Sequence, residues 1–245
     1  MSTRPDLHGH TALITGAGRR LGAAFARAVA EAGGGVCLHY GTTPAEALAR
    51  ELAEAHGVQA VALQADLADA QGAAHLVDRA AQQLGEIDLL VNSASIFGAS
   101  TFADTDLPAW KKHIAVNLTA PFLLSQAFAR HRVGRTGAIV NLLDWRALRP
   151  GADHFAYTIS KAGLAALTQS LAQALAPSIR VNGLALGAIL PPPDATSEEI
   201  PPAARSPLSR WGTLQETCDA LLFLLAGPDF ITGEILHLDG GRHLT

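Results

Sequence analysis

The stretch Thr-Ala-Leu-Ile-Thr-Gly-Ala-Gly-Arg-Arg-Leu-Gly, residues 11–22, decides the fold of this 245-residue chain. It opens on a short apolar run over 11–15, which is typical of a buried strand. Three glycines follow within residues 16–22, and a helical pattern runs from about 20 to 32. Because glycine permits tight turns, the stretch predicts a strand, a sharp turn and a helix in direct succession.

Short apolar runs and longer alanine-rich helical patterns alternate along the rest of the chain. Six further strands are predicted over 36–40, 58–65, 87–92, 138–143, 179–184 and 235–238. Further helices are predicted over 44–56, 69–84, 154–175 and 214–225, with one from about 108 into the 120s. Pro121 is expected to kink or break that last helix. Since parallel strands need long crossovers, the pattern predicts a Rossmann-like α/β fold, a doubly wound parallel seven-stranded sheet with helices on both faces.

The length and the lack of a linker or repeat predict a single domain over residues 1–245. One segment departs from the alternation, because residues 187–205 carry five prolines. An irregular segment of about 19 residues inside a compact domain is more often a functional lid than a linker. We therefore expect residues 187–212 to form a substrate-loop segment.

Composition limits the classes of function. Lys and Arg number 18 against 22 for Asp and Glu, a net charge of -4, and no basic stripe is visible, which argues against partners such as nucleic acid or a membrane surface. No apolar run approaches the ~18–20 residues that span a bilayer, and no secretory signal is visible, so we expect a cytoplasmic protein. Cys37 and Cys218 lie in apolar segments and predict two buried free thiols, and no Cys/His cluster has the spacing of a metal site.

The glycine turn points to a dinucleotide. Its spacing is GxGxxxG, and the glycines allow the backbone to approach a pyrophosphate seated on the helix N-terminus. A carboxylate at the end of the second strand would bind the ribose diol of NAD, but residues 39–43 read His-Tyr-Gly-Thr-Thr, with no acid before Glu46. Arg19 supplies positive charge nearby, so we expect NADPH. Asp66 either accepts from the adenine amino group or caps the helix near Asp69, and both roles stay open.

A tyrosine and a lysine stand four residues apart at the start of a predicted helix, in Tyr157-Thr158-Ile159-Ser160-Lys161. They therefore share one helix face. The chain has only two tyrosines and three lysines, so this pairing is conspicuous. A phenol beside an ammonium suits proton delivery to an atom that receives hydride.

These motifs together resemble the short-chain dehydrogenase/reductase family over nearly the whole chain. The resemblance rests on 15–22, Asp66-Leu67, Asn92-Ser93-Ala94-Ser95, Asn117, Tyr157/Lys161, Val181-Asn182-Gly183 and Asp239-Gly240-Gly241. It implies that Tyr157 donates the proton, that Lys161 holds the nicotinamide ribose and tunes Tyr157, and that Asn117 anchors a water chain to Lys161. It also implies a homotetramer that packs helices near 108–130 and 154–175 against each other.

Most members of that family carry a serine thirteen residues before the tyrosine, where this chain has Asp144. Pteridine reductases are similar here, in that aspartate, in Arg20, in Val36-Cys37-Leu38-His39-Tyr40 and in Ala94-Ser95 with Phe97 two beyond. The ending 238–244 is similar to bacterial dihydromonapterin reductases. This resemblance implies a pterin held between Phe97 and the nicotinamide. Asp144 would orient Tyr157 and relay a proton through water, and as a carboxylate it would raise the pKa of Tyr157.

The predicted site is therefore extensive. The expected cofactor-binding residues are Gly16, Gly18, Arg19, Arg20, Leu21, Gly22, His39, Tyr40, Thr42, Asp66, Leu67, Asn92, Ala94, Ser95 and Gly187. The expected substrate-binding residues are Arg20, Ser95, Phe97, Asp144, Tyr157, Leu190 and Trp211, with Trp145 as a weaker candidate. Parasite-type pteridine reductases carry a basic residue where Thr42 stands, so phosphate binding is expected to depend on Arg19, His39 and the threonine hydroxyls. Leu186 stands where the family usually has proline, so the substrate wall is expected to differ.

Three functions stay open. The favoured one is an NADPH-dependent reductase of dihydropterins such as dihydromonapterin, dihydrobiopterin or dihydrofolate. The second is a carbonyl or 3-oxoacyl thioester reductase that tolerates Asp144 in place of serine. The third is a non-catalytic NADPH-binding sensor, against which the intact Tyr157/Lys161 pair argues. Three residues keep structural alternatives: Phe97 as core packing, Asp144 as a cap and Asn117 as a turn residue.

Overall fold

The computed structural model describes residues 5–190 and 206–245. Its strands are β1 Thr11–Ile14, β2 Gly35–Tyr40, β3 Ala60–Gln64, β4 Leu89–Asn92, β5 Gly137–Asp144, β6 Ile179–Leu186 and β7 Ile235–Leu238. Its α-helices are α1 Arg20–Glu31, α2 Glu46–His56, α3 Ala70–Leu84, α4 Leu107–Ile114, α5 Ala120–His131, α6 Phe155–Leu175 and α7 Leu214–Ala226. The five prolines of the expected irregular segment lie outside the described residues.

The strands form one parallel sheet in the order β3-β2-β1-β4-β5-β6-β7. The predicted doubly wound seven-stranded sheet is confirmed. Chain order reverses between β1 and β4, and crevices at such a switch point, outside the carboxyl ends of the strands, are where ligands bind in this architecture.

Helices cover both faces of the sheet, so both faces are buried. Successive side chains of a strand point to opposite faces and therefore enter two different cores. On β1, Ala12 and Ile14 pack into a core with α1 and α7, and Leu13 packs into a second core with α3 and α5. The two faces explain the near-continuous apolar runs of the strands, which are typical of parallel sheets.

The α-helix is interrupted just before Pro121 but does not end there. α4 continues through a π-helical turn, Ala115–Thr119, into α5, which carries Pro121 in its first turn. Proline has no N–H to donate to the preceding turn. The ladder widens just before it, with the Ala120 N–H bonding the Ala115 carbonyl, and this places Asn117 inside the widened turn.

Both cysteines are buried and free, as predicted. Burial raises the pKa of the Cys37 thiol to about 12 and that of the Cys218 thiol to about 11. Among the helices of residues 5–190 and 206–245, none is both long and apolar enough to cross a membrane.

Candidate active site

A cavity of about 440 Å³ opens at the carboxyl edge of the sheet, beside the switch point. Eight of the predicted site residues line it, with the weaker candidate Trp145 among them: Arg20, Leu21, Phe97, Asp144, Trp145, Gly187, Leu190 and Trp211. Arg20 begins α1 with a φ of 53°, a left-handed conformation that residues with side chains adopt rarely and that clusters at functional sites. The lining of this one cavity thus includes both predicted cofactor-binding residues and predicted substrate-binding residues.

Tyr157 lies in the first turn of α6 and donates its hydroxyl hydrogen to Asp144 Oδ2 at 3.1 Å. Asp144 is the last residue of β5. Burial, together with the charge and the hydrogen bond of Asp144, raises the pKa of Tyr157 well above its ordinary value. The phenol is thus held protonated at neutral pH, in the direction that the sequence predicts.

The other carboxylate oxygen of Asp144 faces the turn that follows β5. Asp144 Oδ1 accepts the backbone N–H of Arg146 at 2.8 Å and lies 3.7 Å from the Arg146 guanidinium. Arg146 Nη2 also donates to Asp153 at 2.8 Å. Asp144 therefore caps the turn and is also the hydrogen-bond partner of Tyr157, and its relay of a proton through water stays a prediction.

Lys161 is buried, with 3% of its surface exposed, one turn after Tyr157. Its ammonium donates to the Leu142 carbonyl at 2.7 Å and lies 5.9 Å from the centre of the Tyr157 ring. Burial lowers the pKa of Lys161 to about 8, with the nearby Asp144 charge opposing the shift. The helix thus brings the predicted ammonium beside the phenol, fixed to the backbone of β5.

The Asn117 side chain forms hydrogen bonds with the loop that follows β4. Its Oδ1 accepts from the Ile96 N–H at 2.9 Å and from Ser95 Oγ at 3.3 Å. Its Nδ2 donates to the Ile96 carbonyl and to Ser160 Oγ, each at 3.0 Å. Asn117 is therefore more than a turn residue, because it ties the loop to α6. Its link to Lys161 through water stays a prediction.

Phe97 is 57% exposed, which excludes the core-packing alternative. Its ring stacks on His154 with centroids 4.1 Å apart and planes at 23°. It meets Tyr157 edge to face, with centroids 4.8 Å apart. An accessible aromatic ring therefore stands directly beside the hydroxyl-bearing side chain.

The glycine turn is packed so tightly that side chains are excluded. A Cβ at Gly16 would lie 2.9 Å from the Ala94 Cα, and one at Gly18 would lie 2.2 Å from the Thr43 carbonyl oxygen. The Thr15 hydroxyl accepts the N–H groups of Ser93 and Ala94 at 2.9 and 3.0 Å, which ties together the loops after β1 and β4.

The start of α1 fits a phosphate group. The residue before it, Arg19, has extended backbone and makes no side-chain cap. The first N–H groups of a helix lack partners within the helix, and an anion satisfies them well. These residues therefore fit the pyrophosphate of a dinucleotide.

His39 does not serve the phosphate as predicted. It is 2% exposed, its Nδ1 accepts the Gly16 N–H at 3.1 Å, and its Nε2 faces the Ala65 carbonyl at 3.1 Å. Burial lowers the pKa of His39 to about 4, so the ring is neutral. Instead of offering charge to a ligand, His39 links the glycine turn to the end of β3.

The remaining residues predicted to contact the ribose, its phosphate or the adenine differ in whether their side chains already have a partner in the protein. Arg19 and Thr42 are exposed, as a phosphate contact requires. The Tyr40 hydroxyl donates to the Glu46 carboxylate, which occupies that hydroxyl. Asp66 accepts the Ala68 N–H at 2.9 Å and leaves the capping of α3 to Asp69.

Besides His39, two further predicted cofactor residues have buried side chains. Leu67 packs into the core on the α3 side of the sheet. Asn92 donates to Asn141 Oδ1 at 2.8 Å across β4 and β5. A cofactor contact by either residue would therefore have to come from its backbone.

Comparisons with known proteins agree with this geometry. A family model described as enoyl-(acyl carrier protein) reductase matches residues 16–243. The 3-oxoacyl-[acyl-carrier-protein] reductase FabG of Aquifex aeolicus is 35% identical over 243 residues, 96% of this chain and 98% of the relative. The chain belongs to the short-chain dehydrogenase/reductase family.

Two solved structures superpose closely on this chain. FolM alternative dihydrofolate reductase 1 from Brucella canis, complexed with NADP, has a TM-score of 0.91 at 34% identity, covering 98% of this chain and 96% of that one. A short-chain dehydrogenase from Burkholderia cenocepacia in complex with NADP has a TM-score of 0.89 at 35% identity, covering 96% and 98%.

Sequence reasoning missed several residues of this short-chain site. Arg146 and Arg242 both line the cavity, with their guanidinium groups 4.6 and 4.8 Å from the Trp145 ring centre. Trp145, which the sequence offered as the weaker candidate, lines the cavity together with Trp211. His154 was also missed, although its place three residues before Tyr157 puts it within one helical turn of the reacting group.

Proposed function

We propose that this short-chain enzyme is an NADPH-dependent reductase of dihydropterins, producing the tetrahydro form. The observation that carries the proposal is the hydrogen bond from Tyr157 to Asp144, at the position where a serine is usual in the family. A serine hydroxyl suits a ketone oxygen, which it can polarise. A carboxylate there instead holds the phenol protonated, which suits transfer to a ring nitrogen.

The chemistry divides between cofactor and protein. NADPH, when bound, supplies the hydride to the ring carbon of the C=N bond. Tyr157 donates its proton to the neighbouring nitrogen, and its hydroxyl is restored from solvent by way of Asp144. The sum is one C=N bond, one NADPH and one proton converted to CH–NH and NADP⁺.

Phe97 supplies the second part of the argument. Its exposed ring lies 4.8 Å from the ring of Tyr157 and offers a stacking surface for a flat substrate. Such stacking contributes ~0.5–1.5 kcal/mol beyond the burial of area. The structural likeness to FolM alternative dihydrofolate reductase 1 at a TM-score of 0.91 supports the same substrate class.

A second candidate is a 3-oxoacyl thioester reductase, favoured by the 35% identity to the Aquifex aeolicus reductase. The two are separated by following NADPH oxidation with dihydrobiopterin, dihydromonapterin, dihydrofolate and an acetoacetyl thioester. We expect a dihydropterin to give a kcat/KM at least about tenfold above the thioester. Turnover of the thioester alone would refute the pterin proposal.

Asp144→Ser is the matched variant, because it restores the residue that is usual in the family. We expect it to lower pterin turnover while leaving NADPH affinity unchanged. A variant that reduces pterins as well as the wild type does would remove Asp144 from the proposal.

We also propose a homotetramer that uses α5 and α6, as the family likeness suggests. α5 exposes Phe122 and α6 exposes Ile159, so each helix offers an apolar side chain to a partner subunit. Light scattering of the wild type and of Phe122→Glu tests this assembly, with a smaller species expected for the variant. A monomeric wild type would overturn it.

A further inference from the structure

Phe97 lies in a loop, so no helix or strand fixes the orientation of its ring. Residues 93–106, between β4 and α4, contain neither helix nor strand. A half-exposed ring on such a loop needs support from neighbouring elements if it is to present one fixed plane to a ligand.

That support comes from the residue immediately before α6. His154 has φ 50° and ψ 48°, the left-handed conformation, which turns its side chain back over the loop. Its ring lies against Phe97 at 4.1 Å and 23°, and its Nδ1 is 3.0 Å from the Gly98 carbonyl oxygen. Because a carbonyl only accepts, Nδ1 carries the proton. His154 therefore holds the Phe97 ring and the next peptide at once.

The His113 ring on α4 also lies close to Gly98. A Cβ at Gly98 would lie 3.2 Å from that ring, so a residue larger than glycine would be crowded there. The first residue of α6 also bonds the loop, because the Phe155 N–H donates to the Ser100 carbonyl at 2.9 Å. The loop is thus attached to the same helix that carries Tyr157, and His154 is the residue whose ring stacks on Phe97.

We infer that His154 is a positioning residue that fixes the plane of the Phe97 ring and thereby selects flat conjugated substrates. This inference rests on the proposed function, because it requires Phe97 to stack on the substrate ring. His154, Phe97 and the bound ring would form a three-layer stack, with the Tyr157 hydroxyl beside the outer layer. The specificity would then reside in a residue that does not line the cavity itself.

The test uses His154→Asn. Asparagine tolerates the left-handed backbone and keeps an N–H donor for the Gly98 carbonyl, so mainly the stacked ring is lost. We expect the KM for dihydrobiopterin to rise about 3- to 10-fold, as loss of one aromatic contact predicts, with a smaller change in kcat. His131→Asn, on the surface of α5 and paired with Asp78, is the matched control and should behave as the wild type.

A double-mutant cycle with Phe97→Leu separates positioning from general damage. If His154 acts through Phe97, then His154→Asn raises KM in the wild-type background and leaves it unchanged in the Phe97→Leu background. An equal rise in both backgrounds, or no rise in the first, overturns the inference while the proposed function stands. Absence of dihydropterin turnover by the wild type overturns both.

Discussion

Tyr157 and Asp144 are thirteen residues apart in sequence and share a hydrogen bond of 3.1 Å. Asp144 is the last residue of β5 and Tyr157 lies in the first turn of α6. The pair therefore forms only because the fold places this strand and this helix side by side. Burial and the Asp144 carboxylate together raise the pKa of Tyr157 and keep the phenol protonated, and Arg146 lies on the other side of the carboxylate.

Removal of the phenol hydroxyl should abolish turnover. Tyr157→Phe keeps the ring that packs against Phe97 but cannot donate a proton. We expect kcat to fall by at least about 100-fold, the usual contribution of a general acid. Titration with NADPH should give an unchanged affinity, and retained activity would contradict the role of Tyr157.

Removal of the Asp144 charge should lower the pKa of Tyr157. The chain has only Tyr40 and Tyr157, so Tyr40→Phe leaves one tyrosine whose tyrosinate absorbance can be titrated alone. Burial still raises its pKa, but the contribution of Asp144 is lost in Asp144→Asn. We expect Tyr157 to ionise at lower pH in Tyr40→Phe/Asp144→Asn than in Tyr40→Phe, and identical titrations would show that the carboxylate does not act on the phenol.

Arg19 should determine the preference between the two nicotinamide cofactors. We expect the wild type to bind NADPH at least about tenfold more tightly than NADH, a difference of about 1.4 kcal/mol. Arg19→Ser should weaken NADPH binding and leave NADH binding unchanged, because only NADPH carries the 2′-phosphate. Equal affinities in the wild type would refute the assignment of Arg19.

His39 should make folding stability depend on pH. The pKa of its ring is about 4 in the folded protein, against about 6.5 for an unperturbed histidine, because the buried ring resists charging. The unfolded chain therefore binds a proton first, so this contribution is complete above pH 6.5 and is lost as the pH falls toward 4. Its size is about 3 kcal/mol by linkage.

Urea unfolding at several pH values between 7.5 and 4.5 measures this loss. His39→Gln should be less stable at neutral pH and should lose less stability on acidification than the wild type. Parallel stability curves for the two proteins would show that His39 does not titrate in this range.

The sequence allowed prediction of whatever depends on local pattern. Strand count, the glycine turn and the four-residue spacing of Tyr157 and Lys161 are local features, and the structure places all of them as expected. His39 was mispredicted because a histidine at a strand end resembles a surface residue. Its burial depends on Gly16 and Ala65, which only the fold brings to it.

The supports of the site were hidden for the same reason. Nothing local to Phe97 indicates that His154, 57 residues later, will cover its ring. The Arg146 guanidinium bonds Asp153, which lies seven residues later. The π-helical turn that contains Asn117 is a change in backbone hydrogen bonding, and the pattern of hydrophobic residues does not predict it. Contacts between distant segments, rather than residue preferences, determine these features.

The buried cysteines make the protein convenient for site-directed labelling. Thiolates are the reactive form of cysteine, and pKa values of about 12 and 11 leave Cys37 and Cys218 almost entirely protonated at neutral pH. A fluorophore attached to Phe102→Cys, at a position 76% exposed on the loop that carries Phe97, would therefore report from one place in an otherwise native chain. Whether a ligand moves that loop becomes observable in real time without first replacing either natural thiol.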